Sequence, residues 1–348
     1  MKTKTYFRLM LLIVTAIALS SCISMNYLTM TVTEPSPVWF PSKISSAGII
    51  NRTEVPADQS VIDDIDKILS IEGKHLDSLG AGMAINGLKD ELVARNRFAE
   101  VKLITNHGLK TPGMGVFPAA LSWATVEEIC RNNGVEVLFV LSFYDTDTKV
   151  DYKTNPVEVK GPLGITTTMI EHTATISTLI KTGWRIYDPA NKTIYDEFSM
   201  NENVVSVGRG INPMKAVEAV MGRKDAVLSV SNDIGHRYAS RIFPYNIRVS
   251  REYYVRGSDN FRIGMRKARA GDWHGAAVHW EQELSNPKRK VAGRACYNMA
   301  IINEIDGKLD DAVSWAGKSY TDYNNKRALE YLNILKFRVE QRARLQNQ

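Results

Sequence analysis

The chain has 348 residues, enough for two domains at about 100–200 residues each. With 44% apolar, 24% charged and 9% aromatic residues it has globular composition, which excludes a disordered or fibrous protein. Three cysteines are too few for a disulfide framework or a structural zinc site, and a net charge of +6 hints at an acidic partner.

Lys2, Lys4 and Arg8 precede an apolar run from Leu9 to Leu19, followed by Ser20, Ser21 and Cys22. A basic start, a short apolar stretch and small residues describe a secretory signal, and a bilayer-spanning helix would need about 20 apolar residues. Leu19-Ser20-Ser21-Cys22 resembles the bacterial lipobox. That resemblance implies cleavage before Cys22, a diacylglycerol on its thiol and a fatty acyl chain on its new amino group. Several acyl chains hold a protein on a bilayer where one does not, at about 0.8 kcal/mol per buried methylene. An ordinary secretory signal with an incidental cysteine is the other reading. Neither the Ile23-Ser24 pair nor the acid-free stretch before Glu34 matches an inner-membrane or surface-export tag, so the expected address is the periplasmic face of the outer membrane. Losing residues 1–21 leaves 41 basic and 38 acidic residues. The basic excess lies in 241–348, with 20 basic and 12 acidic residues, against 21 and 26 in 22–240.

In chain order, Tyr27 to Thr33 alternates apolar and hydroxyl side chains and reads as a strand, ended by Glu34-Pro-Ser-Pro37. Ala47 to Asn51 is a second short strand. Leu76, Leu79, Met83, Leu88 and Leu92 follow helical spacing between Lys74 and Phe98, and Phe98 to Ile104 is a strand. Asn106 to Pro118 is a loop rich in glycine and proline, and Leu121 to Asn133 a helix ended by Gly134. Val135 to Tyr144 has the continuous apolarity of a strand buried on both faces. Ile170 to Met200 alternates about a turn at Asp188–Lys192. Pro213 to Arg241 is helical with a break near Gly222, and Asn246 to Tyr254 is a last strand.

From Phe261 to Arg344 the pattern is helical and repeats. Gly264, Gly271, Ala276 and Trp280 align with Ala300, Gly307, Ala312 and Ala316 at an offset of 36, close to the 34-residue tetratricopeptide period. The glycines are expected to end the first helix of each pair, and Asn325 to Arg344 to cap the array. A plain helical-hairpin array is the alternative.

Chemical motifs are sparse. There is no phosphate-binding glycine loop, no zinc-protease helix and no nucleophile elbow. Cys130 and Cys296 sit on apolar helix faces, as inert thiols usually do, although a pairing of the two is open. Asp145, Asp147 and Asp151 share a strand face and are weak metal candidates, or else a solvated strand end. Between Arg241 and Arg269 lie eight cations, among them Arg248, Arg251, Arg256, Arg262 and Arg266, interleaved with Tyr245, Tyr253, Tyr254 and Phe261. Behind a lipoprotein signal such a stretch would face anionic lipid, acidic glycan or a partner's acidic surface, or be a solvated face.

The lipobox, the strand behind it, Glu34-Pro-Ser-Pro37, Ala47-Gly-Ile-Ile-Asn-Arg52 and the terminal repeats together resemble a domain-of-unknown-function family of Gram-negative outer-membrane lipoproteins with C-terminal tetratricopeptide repeats. Residues 45–250 also look distantly like curli-secretion lipoproteins. The expected fold is an α+β (α/β) mixed-sheet sandwich followed by an all-α tetratricopeptide-like helical repeat domain. Its segments are a signal (1–21), a lipidated N-terminus with the first strand (22–44), an α/β domain (45–255) and the repeats with a capping helix (256–348). The expected function is a non-enzymatic protein–protein interaction scaffold. It would be held to the bilayer through Cys22, need no cofactor beyond the covalent lipid, and bind envelope proteins and no nucleic acid. Trp280, Tyr297 and Trp315 with the basic stretch are the expected partner contacts, although Trp273 and Trp280 would equally fill space between repeats. The alternative is a subunit of an envelope assembly or secretion complex. A ligand at the Asn106–Pro118 loop is a further open reading.

Overall fold

The computed structural model describes residues 24–41, 43–54, 64–109, 111–112, 115–160, 166–220 and 222–346. The signal and Cys22 lie outside them. In chain order the elements are β1 (Met25–Glu34), β2 (Ser46–Asn51), β3 (Thr53–Glu54), α1 (Asp64–Ala94), β4 (Glu100–Leu103), β5 (Thr111–Pro112), α2 (Trp123–Asn133), β6 (Val137–Lys160), β7 (Thr166–Asp188), β8 (Thr193–Gly210), α3 (Pro213–Glu218), α4 (Arg223–Ser240) and β9 (Tyr245–Tyr254). Five helices follow: α5 (Asp259–Arg269), α6 (Trp273–Glu281), α7 (Arg289–Ile305), α8 (Leu309–Thr321) and α9 (Lys326–Gln346). A mixed-sheet region thus precedes an all-helical one, as expected. No described helix is long and apolar enough to cross a membrane.

The described residues fold as two compact units, one within 36–243 and one joining 24–35 to the residues from 244 on. In the first, a five-stranded sheet has the order β4-β2-β6-β7-β8, with β4, β2 and β6 parallel and β6, β7 and β8 antiparallel. Alternation along β6 explains its continuous apolarity. Val137, Phe139 and Leu141 join Leu88, Ile234 and Trp184 in the core under α1 and α4. Leu138 and Val140 instead join Val126, Ile129 and Tyr187 under α2. Each face of the strand therefore has its own layer to bury. At Gly87 and Gly235 a side chain would strike the backbone of the opposite helix, so α1 and α4 cross at close range. β6 and β7 then run on together from a bulge between Leu141 and Phe143 to the pair Lys160–Thr166.

The second unit takes strands from two of the expected segments, 22–44 and 45–255. β1 pairs antiparallel with β9 over its whole length, from Met25–Tyr254 to Glu34–Tyr245. Met25 and Leu28 of β1, with Tyr253 and Tyr254 of β9, share a core with Phe261, Trp280, Ala300 and Leu335 of the helices. Both strands therefore belong with the helical hairpins α5–α6 and α7–α8 and the closing helix α9. Asn298, fully buried on α7, fixes the ribbon: its Oδ1 accepts from the Tyr254 amide and its Nδ2 donates to the Tyr254 carbonyl, each at 2.7 Å. It satisfies backbone groups that would otherwise be buried without partners. Gly271 and Gly307, 36 residues apart, both have positive φ (84° and 73°) just after α5 and α7, the conformation that ends a helix and that glycine adopts at least cost.

Candidate functional site

The expected partner contacts separate into interior and surface groups. Trp280 is 0% exposed and packs between Tyr253 at 5.9 Å and Gly264, where a Cβ would come within 2.5 Å of the indole Nε1. Tyr297 is 5% exposed and packs against the rings of Tyr254 and Tyr331, both at 5.2 Å. Both are core residues, which corrects their expected role: a partner cannot reach them without opening the helices. Trp315 is half-buried, with the Lys318 ammonium over its ring at 5.5 Å.

The basic stretch divides in the same way. Arg241 belongs to the α/β unit, where it forms a two-pronged pair with Asp196 (2.9 and 3.0 Å) over the Phe198 ring. Arg251 is also not free for a partner. It clasps Glu304, whose side chain has no exposure and which also receives Arg338 and the Tyr331 hydroxyl. Burial pushes the Glu304 carboxyl up, but the hydrogen bond and charge of Arg251, with Tyr331 and Arg338, hold it below its ordinary range. Arg248, Arg256, Arg262 and Arg266 remain exposed, Arg262 beside Asp259 at 3.1 Å. Exposed apolar side chains of this unit include Val278 on α6 and Ile334 (43%) and Phe337 (52%) on α9, a turn apart and absent from the expected contact set.

In the α/β unit, Asp145 and Asp147 lie beside Lys181, which bonds Asp147 and reaches Asp145 at 3.5 Å, while Asp151 is exposed opposite Thr175. Among the described residues no group of three or more His, Cys, Asp or Glu could hold a metal ion. The three aspartates therefore do not assemble a cation site. Asp77 of α1 joins Asp145 and Asp147, accepting from the Thr146 hydroxyl; burial first, then the two neighbouring carboxylates, push it up to about 7 despite that hydrogen bond. The described part of the Asn106–Pro118 loop is pinned by arginine: Arg185 donates to the Pro118 carbonyl at 2.7 Å and lies over the Phe117 ring at 4.8 Å. Cys130 and Cys296 are free and buried, and burial pushes their thiols up to about 12 and about 11.

Two cavities stand out. The first, about 690 Å3, opens at the start of β2 and β6 beside Arg131, Glu136, Asp188 and Lys192. Two of its acids, Glu136 and Asp188, already serve the fold. Glu136 accepts from the Ser45 and Ser46 amides at 2.6 and 3.0 Å, and Asp188 from Asn191 and the Tyr195 hydroxyl. The second, about 270 Å3, lies in the helical unit between Tyr254, the start of α7 and the α8–α9 turn.

Residues 44–254 match the family described as Domain of unknown function (DUF8603), and residues 262–337 that described as Domain of unknown function (DUF6340). No curated protein matches the chain in sequence. Among solved structures, the PelC dodecamer from Paraburkholderia phytofirmans aligns at 11% identity over 63% of this chain and 99% of that one, with a TM-score of 0.27. A homologue of the neuraminyllactose-binding hemagglutinin from Helicobacter pylori aligns at 9% identity over 58% and 92%, with a TM-score of 0.26. Neither likeness is close enough to bear on function. The first family match spans more than half of the sequence, and the chain belongs to the DUF8603 family.

Proposed function

We propose that this DUF8603 family member is an outer-membrane-anchored lipoprotein whose tetratricopeptide-like hairpins form a non-enzymatic protein–protein interaction scaffold on the periplasmic face. The observation that carries the reading is the full-length pairing of β1 with β9. Met25 lies three residues on from Cys22, and three steps of about 3.3–3.6 Å reach roughly 10 Å. Lipid on Cys22 would thus hold the helical unit at the bilayer, where its outer surface meets other envelope proteins. Scaffold contacts then fall on the half-buried Trp315 and the exposed Ile334 and Phe337 instead of the buried Trp280 and Tyr297.

The test has two arms. Cells fed a labelled fatty acid should label the wild-type chain and leave Cys22→Ala unlabelled; an unlabelled wild type refutes the anchor. Photo-crosslinkers at Trp315 and Phe337 should capture the same neighbour in intact cells, and recovery of none refutes the scaffold. One observation favours the alternative, a subunit of an envelope assembly or secretion complex: past Leu141, β6 has only β7 as a strand partner among the described residues, and an open edge of that length is a template for adding strands.

A further inference from the structure

The smaller cavity carries a chemistry that the scaffold reading does not use. Its wall presents Lys290, Arg294 and Lys326 with Tyr254, Tyr323 and Asn325, and no carboxylate. Among the described residues no acid is paired with any of the three cations, whereas the nearby Glu252 is already bonded to Arg327. Arg294 is held in place: Nη1 donates to the Arg256 carbonyl at 2.6 Å, and the guanidinium lies over the Tyr254 ring at 4.9 Å. The cavity floor is closed by the approach of α7 to the α8–α9 turn, where a Cβ on Gly293 would come within 2.6 Å of Tyr323. Lys290 and Lys326 sit in the first turns of α7 and α9, so the positive ends of two helices add to the field. Three convergent cations without a counter-charge select an anion. A volume of about 270 Å3 falls below the range of drug-sized sites, about 300–1,000 Å3, and suits a single charged group.

The location narrows the source of that anion. Tyr254, on the cavity wall, is the register partner of Met25, and the Val255 amide donates to the Ser24 carbonyl at 3.0 Å. The cleft therefore lies at the end of the ribbon from which the chain leaves toward Cys22. We propose that it binds the phosphate of an anionic phospholipid head group, making a second, electrostatic hold beside the acyl anchor. The phosphate chemistry stands on the cleft alone; only the lipid as its source rests on lipidation of Cys22.

The full-length protein in a neutral maltoside detergent is titrated calorimetrically with dihexanoylphosphatidylglycerol, dihexanoylphosphatidylcholine and inorganic phosphate. Saturable binding of the phosphatidylglycerol, tighter than the other two, is expected. Lys290→Gln with Lys326→Gln should weaken it about thirty-fold, from roughly 1 kcal/mol per cation and tenfold per 1.4 kcal/mol. Both side chains are exposed, so the variant keeps its fold, checked by circular dichroism. Lys308→Gln with Lys336→Gln, exposed cations elsewhere on the unit, should leave binding unchanged. Inorganic phosphate binding as tightly as the lipid supports the site and assigns it to a free anion. No saturable binding of any probe, or equal losses in the two double variants, overturns the proposal. Fatty-acid labelling of the same strains separates the two readings: an unlabelled chain that still binds the probes removes the anchor and keeps the site, and a labelled chain that binds none does the reverse.

Discussion

Arg251 on β9 holds the buried carboxylate of Glu304 on α7, with Nε 2.9 Å from Oε2 and Nη2 2.9 Å from Oε1. The fork ties the strand ribbon to the second helical hairpin, and Arg338 brings in the closing helix. Removing one partner of such a pair strands the other charge in the interior, at a cost of about 3–5 kcal/mol. Arg251→Ala is therefore expected to lower the denaturant midpoint of the helical unit strongly at pH 7, while Arg262→Ala leaves it in place. Because the folded state holds Glu304 below its usual range, its contribution is complete above the unfolded value near 4.5 and is lost as pH falls through the folded one. Midpoints measured from pH 7 down to pH 3 should fall for wild type and less for Arg251→Ala.

Trp280 offers a direct check on core against contact. Truncating a fully buried tryptophan typically costs about 3–5 kcal/mol. Trp280→Ala should unfold the hairpins at lower denaturant, and Gly264→Val should do the same by driving a side chain into the indole. Trp280→Phe, which keeps most of the packing, should still crosslink to the neighbour captured through Phe337. Loss of that crosslink in a folded Trp280→Phe protein would return the tryptophan to the binding surface.

Leu28 tests the ribbon. It is buried on β1, within a core that β1 shares with the helices and β9. Leu28→Ala is expected to cost the helical unit about 2–5 kcal/mol and to leave the α/β unit unaffected. Hydrogen exchange would show it as faster exchange in α7 and β9 with unchanged protection in β6. Uniform loss in both units would contradict the division of the chain.

These cases show where the sequence was readable. Periodicity marked β1 and β9 as strands, since alternation is a local property, but their pairing spans more than two hundred residues and leaves no local trace. The same holds for Arg251, which reads as one more surface cation until Glu304 closes on it from α7. β6 was legible only to Tyr144, because its apolar run ends there: Thr146, Thr148 and Val150 stay half-buried but two of them are polar, and from Asp151 on nearly every residue is exposed and no burial imposes a pattern. The repeat glycines were legible because a left-handed helix end restricts residue type directly. The cation-lined cleft was not, since Tyr254, Lys290, Arg294 and Lys326 converge from three separate elements.

Asp77 gives the α/β unit an opposite response to pH. Burial, with Asp145 and Asp147 nearby and Lys181 engaged by both, raises its carboxyl from 3.8 to about 7. Below pH 3.8 the group is protonated folded or unfolded and costs nothing. Between about 4 and 7 the unfolded chain releases the proton while the folded one keeps it, so stability falls as pH rises, and above 7 the loss levels off at a few kcal/mol. Asp77→Asn, which keeps the shape without the charge, should raise the midpoint of this unit at pH 8 and hardly change it at pH 4. Chemical denaturation followed at Trp184, buried in the same core, reads the effect. An Asp77→Asn protein no more stable than wild type at pH 8 would mean that the carboxylate ionises at its ordinary value and that the aspartates around Thr146 are well solvated.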